Sequence, residues 1–248
     1  MKVVILCAGY GKRLYPYTEK YQKTMIPIHG KPLLRYIIEG LVYTGIRDFI
    51  LVVGYRKEQI INYFQNEIKL NITIEYIEQK QLNGTGGAVL LCEPLIANNH
   101  FILTWGDILL GYSVYKEINH IFQNEKQDYI LTANHTDDPH LGAAVYTKDS
   151  YLTDIIEKPG KGTSKSRLNN AGLFVLSKEI FETLKLIKPS QRREIELPEA
   201  ILMGIKTRNW KVRVYEMNKD QFRGDFGNRE EYERLKNDRS WLQFLNFK

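Results

Sequence analysis

Residues 3–25, VVILCAGYGKRLYPYTEKYQKTM, constrain the fold more than any other stretch of the chain. Residues 3–6 are a short apolar, β-branched run of the kind that fills a buried parallel strand. The run feeds a loop carrying Gly9, Gly11, Lys12 and Arg13, with Lys23 further on. Glycines let backbone N–H groups approach an anion, and the basic side chains neutralise it, so the stretch suits a phosphate-bearing ligand. Two familiar glycine loops fail here. A dinucleotide fingerprint needs a glycine where Leu14 stands, and a P-loop needs Ser or Thr where Arg13 stands. What remains is G-x-G-x-R with a downstream lysine, a pattern equally open to a strand turning tightly into a solvated basic loop.

Downstream, the hydrophobic period alternates between helical and extended. Residues 31–45 place Leu33, Leu34, Ile37, Ile38 and Leu41 at helical spacing, with Pro32 at the start and Gly45 at the end. Further helices are expected at 56–66, 88–93 (stopped by Pro94), 113–123, 195–203 and 229–236. Strands are expected at 49–53, 72–77, 101–104, 129–133, 151–156, 173–176 and 211–215. Helices between strands at this spacing indicate βαβ crossovers and an α/β fold with a parallel sheet. Residues 160–167, rich in Gly, Ser and Lys, are expected to be a mobile loop.

Two strand ends carry further candidates, because ligands of α/β sheets bind beyond the carboxyl ends of the strands. Gln79 precedes a glycine-rich turn, residues 83–87, with Gly84 and Thr85. Glycines there would let a flat base lie on backbone, and the glutamine amide offers a donor and an acceptor to its edge. A plain flexible turn is the alternative. Asp107 follows the strand at 101–104. Beside anionic substrates its carboxylate needs a bridging cation, so it reads as a Mg²⁺ ligand; the alternative is a helix-capping or turn aspartate. Gly142, in the run Gly142-Ala143-Ala144, suits close approach to a sugar ring.

Charge and cysteine content narrow the function classes. The 248 residues carry a formal net charge of +6, yet no run of five like charges and no nucleic-acid module occurs, which favours an anionic small substrate over nucleic acid. Cys7, in the first strand, and Cys92, in a helix, lack metal or redox spacing and suggest a reducing compartment. The histidines show no zinc spacing. With no signal peptide and no apolar run long enough to span a membrane, the chain reads as cytoplasmic and not membrane-bound. The apolar stretch 241–247 is free to dock on its own domain or on a partner subunit, so a homo-oligomer stays open.

AGYGKRLYPYT, then Lys23, then GKPLLRYII closely resembles the N-terminal signature of the sugar-1-phosphate nucleotidylyltransferases (NDP-sugar pyrophosphorylases, including glucose-1-phosphate uridylyl- and thymidylyltransferase-like enzymes). That signature reads L-A-A-G-x-G-T/S-R-L-x-P-L-T, P-K, G-K-P-L. Cys7, Lys12, Tyr17 and Gln22 depart from it, and none removes a charge. The resemblance implies a doubly wound, mostly parallel, Rossmann-like sheet flanked by helices, with a smaller sugar-binding subregion. One domain is expected over residues 1–248: a nucleotide-binding half (1–110), a sugar-phosphate half (111–227) and a C-terminal helix and tail (228–248). No hexapeptide repeats occur, so the acyltransferase domain fused to some relatives is not expected.

The implied reaction joins an NTP, UTP or dTTP by the match of Gln79 five residues before Gly84, to a sugar 1-phosphate. It yields NDP-sugar and pyrophosphate. The resemblance assigns Arg13, Lys23 and Lys158 to the reacting phosphates, and Ala8, Gly9, Gly11, Gln79, Gly84 and Thr85 to the nucleotide. Gly142, Glu157, Asn170 and Gly172 would face the sugar, through the motifs E-K-P and N-A-G; alone, these read as a surface ion pair and a turn. Mg²⁺ would sit on Asp107 and Asp225. Around Asp225 the family reads W-x-D-I-G-T, with Phe222 and Asn228 as departures, and a turn aspartate before a helix is the alternative. Cytidylyl or guanylyl transfer, a GT-A-type glycosyltransferase and a non-catalytic sugar-nucleotide sensor are the rivals. The missing D-x-D triplet counts against the glycosyltransferase, and the intact charged set against the sensor.

Overall fold

The computed structural model describes residues 1–66, 70–97 and 99–245. Nine strands form its main sheet: β1 (Lys2–Leu6), β2 (Asp48–Val53), β3 (Thr73–Glu78), β4 (His100–Trp105), β5 (Tyr129–His135), β6 (Ala143–Lys148), β7 (Tyr151–Glu157), β8 (Leu168–Ser177) and β9 (Val212–Glu216). Their spatial order is β3-β2-β1-β4-β8-β5-β9-β7-β6. The first four run parallel to one another. β8 is antiparallel to β4 and β5, and β7 is antiparallel to β9 and β6. Asn169 in β8 also pairs with Ala144 in β6, so the far end of the sheet curls back on itself. The fold is α/β and mostly parallel in strand direction.

Besides a single helical turn, Tyr17–Lys20, the helices are α1 (Leu33–Tyr43), α2 (Lys57–Asn66), α3 (Thr85–Leu90), α4 (Tyr112–Glu125), α5 (Ile180–Leu186), α6 (Leu197–Arg208) and α7 (Arg229–Asn237). They cover both faces of the sheet, following the alternation of side chains along β1. Val3 and Ile5 pack with Ile37 and Leu41 of α1 and Ile118 of α4. Val4 packs on the other side with Val89 of α3, Leu184 of α5 and Ile201 of α6. A central strand buried on both faces has to be apolar at every position, which is why the opening run lacks a polar alternation.

Four expectations are revised. α3 starts at Thr85, not 88, because the glycine-rich turn is drawn into the helix: Gly86 N–H donates to Ile195 O (2.8 Å) and Ile195 N–H to Asn83 O (2.7 Å). Pro94 lies inside a separate 3-10 turn, Glu93–Leu95, and Cys92 precedes that turn instead of lying in the helix. Cys7 falls one residue past β1. β8 begins at Leu168, so Asn170 and Gly172 lie within the strand, at a break in its pairing between Asn170 and Phe174. In the 160–167 segment, Thr163 N–H and Oγ1 both donate to Gly160 O.

A feature not expected from sequence is a three-residue antiparallel ribbon, Ile108–Leu110 against Arg223–Asp225. The apolar tail docks on its own chain: Trp241 is buried, donates Nε1–H to Leu235 O (2.8 Å) and stacks on Phe222. Asn246 and Phe247 of that stretch lie outside the described residues. Among the described residues no helix is long and apolar enough to cross a membrane.

Candidate active site

β1 and β4 end side by side, and the loops that leave them carry the charged residues. After β1 the chain passes through Ala8, Gly9 and Gly11 into a 3-10 turn, Lys12–Leu14, that brings Arg13 to the sheet's carboxyl edge. Gly11 O accepts from Leu14 N–H (2.9 Å) and Thr18 Oγ1 (3.3 Å), which closes the loop. Lys23 is placed by a turn that Gln22 caps. The buried Gln22 amide donates to Cys7 O and accepts from Thr24 N–H (2.6 Å), while its backbone N–H donates to Gln59 Oε1 (2.7 Å). A glutamine in place of the resembled proline thus ties Lys23 to the end of β1 by a different route.

Lys23 Nζ meets Asp107 Oδ2 at 2.7 Å, with the two side chains 17% and 20% exposed. Burial raises the Asp107 carboxyl, but the Lys23 charge and hydrogen bond, a backbone N–H and the more distant Arg13 outweigh it. The net effect holds it below the ordinary carboxylate value. The ribbon brings the second carboxylate to the same place: Phe226 N–H donates to Asp107 O (2.8 Å), and Gly227 N–H to Asp225 Oδ1 (2.9 Å). Gly227 marks the point of convergence. A Cβ placed on it would lie 2.8 Å from Asp225 Oδ1, 3.2 Å from an Arg13 Nη and 3.5 Å from Asp107 Oδ2.

Arg13, Lys23 and Asp107 border a cleft of about 470 Å³ that is also lined by Ala8, Gly9, Gln79, Gly84, Thr85 and Lys158, together with Leu82, Trp105 and Glu194; Asp225 is not in the lining. Nine of the residues singled out in the sequence therefore share one cavity. Gln79 is buried, and its Nε2 donates to Asn83 Oδ1 (3.2 Å) and Gly84 O (3.3 Å). Its Oε1 has no partner among the described residues, so the amide presents an acceptor. Gly84 has a reason beyond leaving room for a base: its φ is 97°, and a Cβ there would lie 2.6 Å from Ile195 O. Thr85 Oγ1 accepts from Leu197 N–H (3.3 Å), tying the cleft wall to α6.

The expected sugar contacts are more dispersed. Glu157 lines an adjoining pocket of about 510 Å³ that shares Lys158 with the main cleft. Lys158 N–H donates to Gly142 O (2.9 Å). Asn170 Oδ1 accepts from Gly172 N–H (2.9 Å), and Gly172, at φ 84°, backs onto the Trp105 ring. Gly142, Asn170 and Gly172 are not among the residues that line this cleft.

Sequence reasoning missed Arg192. Its Nη2 reaches Glu196 Oε1 (2.8 Å), Glu157 Oε1 (3.3 Å) and Glu194 Oε2 (3.7 Å), gathering three carboxylates beside Lys158. Burial raises the Glu157 carboxyl despite Arg192 and Lys158 nearby. The only sequence signal was the Arg192–Glu196 spacing at a helix start. Arg223 was missed as well. Counted back from Asp225, the tryptophan of W-x-D falls on Arg223 and not on Phe222; Arg223 Nη2 lies 3.5 Å from Asp225 Oδ2.

Among the described residues no group of three or more His, Cys, Asp or Glu could hold a metal. Asp107 and Asp225 offer two hard carboxylates without thiolate or imidazole. That set fits Mg²⁺, which takes a carboxylate or two and completes its shell with phosphate oxygens and water.

The nucleotidyl transferase family profile matches residues 2–240. The bifunctional protein GlmU of Methanococcus maripaludis is 39% identical over 88% of this chain and 50% of its own length. UTP–glucose-1-phosphate uridylyltransferase AglF of Haloferax volcanii is 30% identical over 84% of each chain. The chain spans about half the length of the GlmU relatives it matches. A solved UDP-glucose pyrophosphorylase in complex with UDP-glucose superposes with a TM-score of 0.85, at 26% identity, covering 95% of this chain and 97% of that one.

Proposed function

The chain belongs to the nucleotidyl transferase family, and from that premise we propose that it joins UTP or dTTP to a sugar 1-phosphate, releasing pyrophosphate and an NDP-sugar. The convergence of Arg13, Lys23, Asp107 and Asp225 around Gly227, at the mouth of a cleft that Gln79 closes, carries this reading. The names of AglF and of the superposed pyrophosphorylase agree with it.

Two anions have to meet, so the protein's task is alignment and charge neutralisation. Arg13 holds the triphosphate tail and the departing pyrophosphate. Lys23, paired with Asp107 in the structure, has the reach to exchange that carboxylate for an α-phosphate oxygen. Lys158, on the opposite wall, meets the incoming sugar phosphate, and Arg192 keeps the neighbouring acids from repelling it. Gln79 Oε1 accepts the ring N3–H that uracil and thymine both carry. Mg²⁺ bound between Asp107 and Asp225 would neutralise phosphate oxygens in the transition state. The attacking phosphate oxygen is already ionised at neutral pH, so no general base is required.

We assign residues 1–110 to a nucleotide-binding half, 111–227 to a sugar-phosphate-binding half and 228–248 to a C-terminal helix and tail; that Gln79 and Asp107 line the main cleft while Glu157 lines the pocket sharing Lys158 with it supports the first two. A matrix of five NTPs against several sugar 1-phosphates, read by pyrophosphate release, tests the function. Turnover with UTP or dTTP is expected. Release from only a purine nucleotide or CTP overturns the base assignment, and consumption of a finished NDP-sugar with no pyrophosphate chemistry overturns the reaction.

A further inference from the structure

Joined to Asp225 through Arg223 is a second cavity of about 510 Å³, lined in part by Asn134, Asp137, Arg167, Lys219 and Arg223. It sits where β5 and β9 end and β8 begins, next to Asn170, which pairs with Ala133 of β5. Two of its lining residues each carry a polar atom that is sealed from solvent and has no partner among the described residues: Arg223 Nε and Asn134 Oδ1. The Arg223 side chain is 23% exposed, and its one ion-pair contact among the described residues is the 3.5 Å approach to Asp225. A guanidinium so buried, with a donor unfilled, is expensive unless a ligand or water completes it.

The other charges are unequal. Asp137 and Arg167 pair at 3.6 Å with both side chains almost fully in solvent, where the contact is weak. Lys219 has no ion pair among the described residues. Within the lining, the cations outnumber the single carboxylate.

We propose that this cavity receives an anionic group, a carboxylate or a second phosphate, at the end of the acceptor sugar remote from its 1-phosphate, with Arg223 as the specificity-determining contact. The inference rests on the reading of the main cleft as a sugar-1-phosphate site. A fork of guanidinium donors matches a carboxylate or phosphate in geometry and charge. Asn134 lines the same cavity beside Arg223, which adds a side-chain amide that a sugar hydroxyl can bond. Because Arg223 also touches Asp225, the far end of the acceptor is read within one residue of the candidate metal site.

The test compares glucose 1-phosphate with glucuronic acid 1-phosphate as acceptors, by kcat/KM from pyrophosphate release. The acidic acceptor is expected to be preferred roughly tenfold or more, the scale of two or three partly screened charge contacts. In Arg167→Ala/Lys219→Ala the preference should fall several-fold, with the rate on glucose 1-phosphate unchanged. In Arg223→Met the ratio of the two acceptors should invert or vanish, an internal comparison that divides out any effect on Asp225. Sulfate should inhibit turnover of the acidic acceptor more strongly than that of the neutral one. Sulfate that instead alters kcat on the neutral acceptor, with the double variant abolishing the effect, identifies a separate effector site and overturns the substrate reading. Equal use of both acceptors, or a preference untouched in all variants, also overturns it. Absence of turnover with any sugar 1-phosphate would be the failure of the function itself, a distinct result.

Discussion

A methyl group on Gly227 would interrogate the point where Arg13, Asp107 and Asp225 meet. Gly227→Ala puts a Cβ 2.8 Å from Asp225 Oδ1, 3.2 Å from an Arg13 Nη and 3.5 Å from Asp107 Oδ2. The first distance is shorter than carbon and oxygen tolerate, and the second requires a few tenths of an ångström of movement. The side chains that must yield are the ends of Asp225 and Arg13, so the backbone has no reason to unfold. Gly227 itself sits in an ordinary backbone region. Displacing one carboxylate by even part of an ångström should weaken both its backbone hydrogen bond and its share of a metal ion. Loss of one preorganised electrostatic contact, or a comparable misplacement, costs on the order of 10²-fold in rate. The expected result is a kcat lowered by about 10², a higher Mg²⁺ requirement and a melting temperature close to that of the parent protein. Steady-state pyrophosphate release over a Mg²⁺ titration, with a thermal melt beside it, reads all three. A kcat within twofold of the parent would show that the three charged groups do not act on one reaction centre.

Asp107 gives a pH prediction. Its folded-state carboxyl lies below the ordinary value, so its stabilising contribution is present above the unfolded pKa and is lost as pH falls through the folded one. Asp107→Asn should therefore show a shallower loss of Tm below about pH 4 than the parent, as well as lost Mg²⁺-dependent turnover; parallel acid limbs would contradict the Lys23 pairing. Burial pushes both cysteine thiols up to about 12, so intact-mass analysis after iodoacetamide treatment at pH 8 should find the native protein unalkylated. Trp241→Ala removes a buried indole, its hydrogen bond to Leu235 and its stacking on Phe222, and should cost about 3–5 kcal/mol in urea unfolding.

The parallel half of the sheet was legible because its signals are local. Residues 3–6 and 49–53 are apolar at every position, and the loop behind the first strand declares its charge within ten residues. The helix at 85–90 was misread at its start because three glycines argue for a turn; only the two hydrogen bonds to residues 83–86 from Ile195, over a hundred residues away, convert them. The 108–110 and 223–225 ribbon was invisible for the same reason: three-residue strands carry no period, and their pairing is fixed by tertiary packing. Gln79, Asp107 and Lys158 fell in one cleft as the strand-end rule and the resemblance suggested. Gly142, Asn170 and Gly172 are not in its lining; a glycine in a motif says only that a neighbour comes close, not which neighbour. Arg192 and Arg223 escaped notice because their meaning lies in what surrounds them, three acids in one case and an unfilled donor in the other.

The strand that bears Asp225 leans on the tail: Phe222 stacks on both Trp241 and Phe244 and bonds through its carbonyl to Gly111 N–H. On a ribosome this makes competence a late event. A nascent polypeptide can assemble its first loop and the lysine beside Asp107 early in synthesis, yet the ribbon that carries Asp225 gains its aromatic support only after residues 241–244 emerge and pack on Phe222. A fragment released before that point would keep the opening strands and lack the aromatic packing under the Asp225 ribbon.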